Sequence, residues 1–346
     1  MEGRCGKALC MEKLCTDVAI IGAGPAGMFA VFECGMLKMS CLLIDALGEV
    51  GGQCAALYPE KPIYDIPAHP GIEAATLVRA LEAQIAPFAA PRLLGRRVEQ
   101  LSGSKGDFTL TTDAGEIVQA KAVIVAAGAG AFGPNRPPLP GLDAYEASGA
   151  VQYYVKQRAA LRGQRVVIAG GGDSAVDWAL ALHGIAASIH VVHRRAKFRA
   201  APQSAAALDA LAAAGSIDMV IPYQLHALHG TNGVLEAVEV ANLDGATRRI
   251  GADVLLPFFG LAMELGPIAD WGLALERQHV LVNPASMESS VPGIFGVGDI
   301  VQYPGKLKLI LQGFAEGAVA AHGIYPIVHP DVALHFEYST TKGVPG

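Results

Sequence analysis

Cysteine is missing from most of this sequence. All six cysteines lie in the first 54 residues, and none occurs between Ala55 and Gly346. No two of them have the C-x-x-C spacing of a redox dithiol or a zinc knuckle. We therefore expect no metal site. We also expect reduced thiols in a cytoplasmic protein, because the N-terminal residues lack the long apolar core of a secretory signal.

Charge is also scarce, and neither sign dominates. Charged residues make up 17% of the chain, below the roughly 25% of an average soluble domain. The 26 basic and 32 acidic residues give a net charge of −6, and no run of lysine and arginine exceeds a pair, which argues against general nucleic-acid binding. Glycines interrupt the uncharged, mostly apolar segment at residues 18–32, and no apolar stretch of the sequence reaches the roughly 18 residues of a membrane span. A transmembrane helix is therefore not expected.

Glycine and apolar residues are abundant instead, and the first strong motif combines them. Residues 17–21 (DVAII) have the composition of a buried strand, and the segment GAGPAG that follows leads into an apolar helix. Gly22 permits a tight turn, Gly24 leaves space for a pyrophosphate, and Gly27 lets the helix pack closely on the strand. With Ala26, these residues form a candidate dinucleotide-binding turn, where the helix N-terminus offers N–H groups to phosphates.

An acidic residue follows this turn at the expected distance. Residues 41–44 (CLLI) predict a second buried strand, which ends at Asp45, 21 residues after Gly24. At this place a carboxylate accepts hydrogen bonds from the ribose of the adenosine half of a dinucleotide. A purely structural glycine turn is the alternative, but strand, glycines, helix, second strand and acid together favour nucleotide binding.

The same arrangement occurs a second time. Residues 165–169 (RVVIA) predict a strand, GGGDSA follows it, and residues 176–182 have a helical composition. Gly170, Gly172 and Ser174 are the candidate phosphate-binding positions of this G-x-G-x-x-A motif. The repeat predicts two nucleotide sites in one chain.

The second motif ends in cations where the first has its acid. Residues 188–192 (SIHVV) predict the strand that follows, and a positive cluster comes directly after it. Its members are His193, Arg194, Arg195, Lys197 and Arg199. Arginines suit a 2′-phosphate, whereas a carboxylate suits a free ribose. We therefore expect NADP(H) at the second site and a nucleotide without a 2′-phosphate at the first; a solvated basic loop is the alternative.

A third glycine motif lies near the C-terminal end. Residues 294–297 (IFGV) predict a strand, and Gly298 and Asp299 follow it. A carboxylate at Asp299 could bind the ribityl chain of a flavin, although an ordinary strand end is the alternative. Combined with the two nucleotide motifs, the pattern resembles the flavoproteins with two dinucleotide-binding domains, from about Thr16 to the end of the chain.

This resemblance implies an α/β fold with two Rossmann-like dinucleotide-binding domains, the NADP(H) domain being inserted into the FAD domain. The FAD-binding domain is expected at residues 14–125 and 264–346, and the NADP(H)-binding domain at residues 126–263. The crossovers at residues 126–130 and 260–266 contain glycines and could act as hinges that bring the nicotinamide to the flavin. The implied cofactors are FAD and NADP(H).

Among such flavoproteins, the sequence most resembles the thioredoxin-reductase-like ferredoxin–NADP reductases. The loop GGQCAALYPEKPIYD, residues 51–65, is similar to their flavin-proximal loop. The resemblance implies that Gln53 contacts the flavin or ribityl region and that Tyr58 stacks on one flavin face; a surface tyrosine is the alternative. It also suggests that the Val98 backbone meets the adenine and that Phe132 lies near the flavin, although both could equally be core residues.

The C-terminal segment HFEYSTTKGVPG, residues 335–346, resembles an extension that these reductases have and thioredoxin reductases lack. Tyr338 would cover the other flavin face, supplied by the partner subunit of a homodimer. Ser339 and Thr340 would place hydroxyl groups near the ring. Tyr58, Tyr338 and Ser339 are therefore the candidate catalytic residues, and Thr340 is a candidate cofactor-binding residue.

The function implied by the resemblance is electron transfer through FAD between NADP(H) and ferredoxin or flavodoxin. Three alternatives remain: a diaphorase or quinone reductase with the same cofactors, a thiol-dependent reductase that uses Cys54, and a flavin-bearing redox sensor without turnover. Pro59 stands where a second redox cysteine would follow Cys54, and residues 151–156 lack the C-x-x-C of thioredoxin reductases. Direct transfer from the flavin is therefore expected.

Docking of the partner raises a question of charge. Ferredoxins and flavodoxins are typically acidic, so an acidic chain would need a locally basic face to bind one. The candidate residues for such a face are Arg92, Arg96, Arg97, Lys306 and Lys308.

Overall fold

The computed structural model describes residues 13–334 and Gly343. Two units make up residues 13–334: the first contains residues 13–56, 63–131 and 263–334, and the second contains residues 57–62 and 132–262. The candidate residues Tyr338, Ser339 and Thr340 lie outside the described part of the chain, as does the side chain of Phe132.

Strands and helices largely alternate in two parts of the described chain, residues 14–94 and 142–220, and a run of consecutive strands follows each part. The first part contains β1 (Leu14–Ile21), α1 (Pro25–Met36), β2 (Cys41–Asp45), α2 (Gln53–Ala56), β3 (Pro62–Ile63), β4 (Ile72–Glu73), α3 (Ala74–Ile85), β5 (Arg92–Leu94), β6 (Val98–Ser104), β7 (Asp107–Thr112), β8 (Ile117–Val125) and β9 (Ala131–Pro134). The middle part contains α4 (Leu142–Ala147), β10 (Arg165–Ala169), α5 (Asp173–Leu182), β11 (Ser188–Val192), α6 (Pro202–Ala213), β12 (Asp218–Val220), β13 (Gln224–Thr231), β14 (Val234–Ala241), β15 (Thr247–Gly251) and β16 (Val254–Pro257). The last part contains β17 (Leu261–Glu264), β18 (Leu275–Glu276), β19 (His279–Leu281), β20 (Ile294–Gly296), β21 (Val301–Gln302) and α7 (Ile310–Val328).

The first unit is built on a seven-stranded sheet with β1 near its centre. Its strand order is β5-β2-β1-β8-β7-β6, and β20 pairs with the C-terminal half of β8. Val18 pairs in parallel with Cys41 on one side and with Ala122 on the other. Residues 18–21 are buried without interruption, as is typical of a central parallel strand. The carboxyl ends of β1, β2 and β8 therefore lie together at one edge of the sheet.

The second unit has three layers. Its parallel sheet has the order β12-β11-β10-β16, and β13, β14 and β15 form an antiparallel meander. Successive side chains of β10 point to opposite faces of the sheet. Val166 and Ile168 therefore pack with helix α5, whereas Val167 packs with the meander residues Val238 and Val240.

Two of the four points at which the chain changes unit lie in one short ribbon, in which β9 pairs with β17. They fall between residues 131 and 132 and between residues 262 and 263, inside the two strands of the ribbon, whereas the other two bound the short segment 57–62. Among the helices of residues 13–334, none combines the length and the apolar character that crossing a membrane requires. The mixed seven-stranded sheet and the parallel four-stranded sheet, each with a strand, a glycine turn and a helix, confirm the predicted α/β class.

Candidate functional site

The first glycine turn has the steric demands that its sequence predicts. Gly22 has a φ of +111°, and a Cβ on it would lie 2.3 Å from the Ala126 carbonyl oxygen. A Cβ on Gly27 would lie 1.9 Å from the Gly22 carbonyl oxygen, so helix α1 can approach β1 only with glycine there. At Gly24, by contrast, a Cβ would meet nothing closer than the Gly52 Cα at 4.0 Å. The turn is therefore tight at its two ends and open in the middle, where a phosphate could approach the backbone.

Asp45, at the end of β2, is hydrogen-bonded to this turn. One carboxylate oxygen accepts a hydrogen bond from the Ala23 N–H at 2.6 Å, and the other accepts one from the Leu47 N–H at 2.8 Å. Burial raises the pKa of Asp45, and the two backbone hydrogen bonds act in the opposite direction. Each carboxylate oxygen has a further lone pair, so the side chain can brace the turn and still accept a ribose hydroxyl.

The loop after β2 lies against the same turn. The Gly51 N–H donates to the Ala23 carbonyl oxygen at 2.8 Å, and Gln53 begins helix α2. The Gln53 amide nitrogen lies 3.7 Å from where a Cβ of Gly128 would be, at the end of β8. Cys54 is buried, with 2% of its surface exposed, and is not in a disulfide. The structure therefore brings Gln53 to the glycine turn and shields the Cys54 thiol from solvent.

Asp299 follows β20 in the same unit. It lies in a 3₁₀ turn over Gly298–Ile300 and is half-buried, and Gly298 has a φ of +79°. A Cβ on Gly298 would lie 3.2 Å from the Ala26 Cβ at the start of helix α1. The third motif and the first glycine turn are thus neighbours, although they are far apart in sequence.

Val98 is a core residue of β6, with 4% of its surface exposed. Its side chain is therefore part of the hydrophobic core, which the sequence analysis gave as the alternative, and only its backbone is available to an adenine. Phe132 lies in β9, one residue past the end of the first unit.

The second glycine motif resembles the first in leaving free space beside its middle glycine, Gly172. The nearest atom to a Cβ on Gly172 would be the Arg199 carbonyl oxygen at 3.9 Å, and Ser174 is exposed in the first turn of α5. The Arg199 N–H donates to the Gly171 carbonyl oxygen at 2.7 Å. This bond folds the cationic segment back over the start of α5, so the cations and Ser174 are brought together.

His193 lies across this turn. A Cβ on Gly171 would be 2.0 Å from the His193 Cε1, and the imidazole packs on Phe198 with the ring centroids 5.0 Å apart. Nε2 is buried and has no hydrogen-bond partner among the described residues. Burial lowers the pKa of His193, and the charges of the neighbouring arginines lower it further.

The arginines of the cluster are exposed and available. Arg194, Arg195 and Arg199 have no carboxylate within ion-pair distance among residues 13–334. Most other arginines of the described chain do have one, as in the Arg165–Asp253 pair at 2.6 Å. Three unneutralised guanidinium groups beside a glycine turn are suited to an anion such as a 2′-phosphate.

Tyr58 belongs to residues 57–62, the part of the loop at residues 51–65 that groups with the second unit. It is partly buried and packs on the core cluster that contains Val155 and Trp178. The Lys61 Nζ lies 5.6 Å from its ring centroid and 2.8 Å from an Asp177 carboxylate oxygen. Tyr58 is therefore not a bare surface tyrosine. By its contacts it groups with the second unit, whereas Asp45 and Gln53 belong to the first.

The hypothesis of a basic docking face is not supported by the side-chain pairs. Arg92, Arg96 and Arg97 each pair with a glutamate, at 2.8, 2.6 and 2.6 Å. Lys308 contacts the His279 ring nitrogen at 2.9 Å. The prediction that Lys306 lies on the surface was wrong, because its side chain is 1% exposed and pairs with Glu316 at 2.5 Å. Sequence reasoning also missed Glu316, whose signal was a single acidic residue in the otherwise apolar and small-residue helix α7.

Comparison with known proteins identifies the family. The family model described as pyridine nucleotide-disulphide oxidoreductase matches residues 16–320. The ferredoxin–NADP reductase of Acidiphilium cryptum is 76% identical over 335 residues, which cover 97% of this chain and 99% of that protein. The enzyme of the same name from Granulibacter bethesdensis is 72% identical over 331 residues, which cover 96% of this chain and 95% of that protein.

Solved structures agree with this result. The thioredoxin reductase of Lactococcus lactis in its FR conformation has a TM-score of 0.79 at 25% identity, over 91% of this chain and 99% of that one. The resemblance inferred from the sequence motifs is thereby confirmed. The chain belongs to the pyridine nucleotide-disulphide oxidoreductase family and, within it, to the ferredoxin–NADP reductases.

Proposed function

We propose that this chain is an NADPH-dependent reductase that transfers electrons through FAD between NADP(H) and ferredoxin or flavodoxin. Its relatives at 76% and 72% identity carry the name ferredoxin–NADP reductase. The observation that carries the proposal is the contrast between the two glycine turns. The first is followed by the half-buried carboxylate of Asp45, and the second by exposed guanidinium groups that have no carboxylate partner among residues 13–334.

The first unit has the groups that FAD requires. Gly24 leaves open space for a pyrophosphate, and Asp45 has lone pairs for the adenosine ribose. Asp299 follows Gly298, on which a Cβ would lie 3.2 Å from the Ala26 Cβ, and is proposed to bind the ribityl chain. The remaining proposed FAD contacts are Gly22, Gly27, Gln53 and the Val98 backbone. FAD supplies the step that amino acids cannot perform, the conversion of a hydride into two single electrons.

The second unit has the groups that NADP(H) requires. Gly170, Gly172 and Ser174 surround the pyrophosphate position at the N-terminus of α5, where N–H groups favour an anion. Arg194, Arg195 and Arg199 would bind the 2′-phosphate, with His193 beside them. The domain limits predicted from the sequence, 126–263 for the NADP(H) domain, are kept in this proposal, with the crossovers at residues 126–130 and 260–266 as the hinges.

Aromatic residues are also proposed to cover the flavin. Tyr58 is proposed to stack on one face and Tyr338 on the other, with Ser339 and Thr340 near the ring and Phe132 close by. Because Tyr338 would come from a partner subunit, the active form is a homodimer. We place it in the cytoplasm, since its thiols are expected to be reduced.

Cysteine chemistry has no place in this mechanism. The second unit contains no cysteine, because the last one in the sequence is Cys54. Cys54 itself is buried, and the described thiols are all free of disulfides. A reductase that works through a dithiol needs two exposed, adjacent thiols, so the protein's contribution here is to bind, orient and shield the two cofactors.

A stopped-flow experiment tests the proposal. Mixing the FAD-loaded protein with NADPH should bleach the flavin absorbance. Adding oxidised ferredoxin should then restore the absorbance about as fast as NADPH bleached it. NADH at the same concentration is the control and should bleach it far more slowly. Restoration by quinones but not by ferredoxin or flavodoxin would identify a diaphorase, and no restoration by any of them would identify a redox sensor.

A further inference from the structure

A buried ion pair lies directly behind the third glycine motif. The side chains of Lys306 and Glu316 are 1% and 2% exposed, and their charged atoms are 2.5 Å apart. Tyr303 donates to the same Glu316 oxygen at 2.5 Å, and Gln312 donates to the Tyr303 hydroxyl at 2.7 Å. The only other buried polar residue among residues 13–334 is Thr112. The proposed reaction uses none of the four side chains of the network, Tyr303, Lys306, Gln312 and Glu316.

The second oxygen of Glu316 has a different partner. It accepts a hydrogen bond from the Gly298 N–H at 2.7 Å. Gly298 has a φ of +79° and precedes Asp299, so this bond holds the peptide between Val297 and Gly298, one residue before Asp299. Glu316 therefore connects a charged, buried network to the backbone of the candidate flavin site.

Packing around this bond leads to the first glycine turn. A Cβ on Gly313, one turn before Glu316 in α7, would lie 3.0 Å from the Ala26 Cβ and 3.4 Å from the Gly298 Cα. Helices α1 and α7 thus meet at small residues where the first and third motifs come together. A carboxylate at residue 316 is held at a fixed distance from both motifs.

The charge of Glu316 has a physical use here. A buried carboxylate is costly unless its lone pairs are filled by donors and its charge is balanced. Lys306 balances the charge, and Tyr303 adds a donor. Burial, followed by its hydrogen bond to Glu316, raises the pKa of Tyr303 to about 12, so the hydroxyl keeps its proton. A hydrogen bond from a backbone N–H to a charged acceptor is stronger than one to a neutral acceptor.

We propose that Glu316, held by Lys306 and Tyr303, is a positioning residue that fixes the Gly298 peptide so that Asp299 presents its carboxylate to the flavin. The inference rests on the assignment of FAD to the first unit. It predicts that the acceptor at residue 316, more than the ion pair itself, determines how tightly FAD is held.

Two double variants, both of which remove the charges of Lys306 and Glu316, separate the effect of the hydrogen-bond acceptor from the effect of the ion pair. Lys306→Met/Glu316→Gln keeps an acceptor for the Gly298 N–H, whereas Lys306→Met/Glu316→Leu removes it; neither leaves an unpaired charge in the core. The dissociation constant of FAD, measured by flavin fluorescence on the deflavinated protein, should stay near the wild-type value in the Gln variant. It should rise by about tenfold or more in the Leu variant, since one hydrogen bond to the motif is lost.

Several outcomes overturn the inference. Equal FAD affinity in the two double variants would mean that the network only stabilises the fold. If the Leu variant does not fold, Glu316→Asp serves instead, because its shorter carboxylate keeps the charge beside Lys306 but withdraws from the Gly298 N–H. Wild-type FAD affinity in Glu316→Asp would overturn the inference as well.

NADP⁺ affinity, expected to be unchanged in all of these variants, is the control for the second unit. A wild-type chain that binds no FAD would refute the proposed function and not this positioning role specifically.

Discussion

The Asp45 carboxylate accepts a hydrogen bond from the Ala23 N–H at 2.6 Å, which ties the end of β2 to the glycine turn after β1. The residue expected to bind a ribose is thus also part of the scaffold of the phosphate site. Asparagine at this position would turn its NH₂ group toward one of the two backbone donors, Ala23 or Leu47. We expect Asp45→Asn to weaken FAD binding by about 10- to 100-fold and to lower the free energy of unfolding by about 1–3 kcal/mol. Fluorescence titration with FAD and urea unfolding of the apoprotein measure the two effects.

Asp17→Asn is the matched control for this variant. Asp17 also accepts a backbone N–H, that of Ser40 at 2.9 Å, and pairs with Lys121 at the opposite end of the strands. Its replacement should lower stability without changing FAD affinity. If both variants lose FAD equally, the effect comes from a weakened sheet and not from the ribose contact.

The choice between NADPH and NADH should depend on Arg194. Its guanidinium is exposed and has no carboxylate partner among the described residues, so no carboxylate of residues 13–334 competes with a 2′-phosphate. Arg194→Ala should raise the KM for NADPH by about tenfold or more, the size of a lost charge-assisted hydrogen bond, and leave the KM for NADH nearly unchanged. Steady-state reduction of ferricyanide measures both values.

Arg249→Ala provides the comparison for Arg194→Ala. Arg249 is another exposed arginine of the second unit, in β15 on the meander. Its removal changes the net charge equally but should leave both KM values as they are. An equal rise for NADPH and NADH in Arg194→Ala would contradict the 2′-phosphate assignment.

The glycine turns and Asp45 could be predicted from the sequence because their requirements are local. Gly22 needs a positive φ and Gly27 needs a close approach to β1, so short spacings reveal both. The Lys306–Glu316 pair had no such signal, since a loop residue meets a helix residue only after α7 packs on α1. The basic docking face could not be predicted reliably either, because ion pairs formed on folding neutralise its candidate residues. Arg96 finds Glu116 across the sheet, and no sequence spacing indicates which cations will be neutralised in this way.

Cys54 should be dispensable for electron transfer. Its side chain is 2% exposed, so the thiol cannot reach a disulfide substrate without opening of the loop that carries it. Cys54→Ala should retain the wild-type kcat for ferredoxin reduction, at a cost in stability of about 1–2 kcal/mol for the lost core contacts. Loss of turnover with FAD content and spectrum unchanged would revive the thiol-dependent alternative.

The C-terminal segment should control the flavin environment. If Tyr338 covers one flavin face from the partner subunit, truncation after Glu337 exposes that face to water. We expect a shifted flavin absorption spectrum, altered turnover with ferredoxin and unchanged NADP⁺ affinity. Tyr338→Phe is the control that keeps the ring and removes only the hydroxyl. A truncated enzyme with wild-type spectrum and turnover would remove Tyr338, Ser339 and Thr340 from the site.

His193 should make the binding of NADP⁺ depend on pH. Burial and the nearby arginine charges lower its pKa, so the ring is neutral at pH 7. A 2′-phosphate beside the ring favours the protonated form and raises that pKa in the complex. Binding then takes up a proton, and affinity should increase as the pH falls from about 8 to 6.5, by about three- to tenfold. Below about pH 6 the phosphate itself gains a proton, which works against the effect.

Calorimetric titration of the wild type and of His193→Gln tests this linkage. NADP⁺ affinity should depend less on pH in the variant, and NAD⁺ affinity should be independent of pH in both. The apoprotein gives a second measurement. Because the folded-state pKa of His193 is depressed, its stabilising contribution is complete above the unfolded pKa of about 6.5 and is lost as the pH falls through the folded value. The wild type should therefore lose free energy of unfolding on acidification faster than His193→Gln; parallel curves would show that burial and the arginine charges do not lower the pKa of this ring.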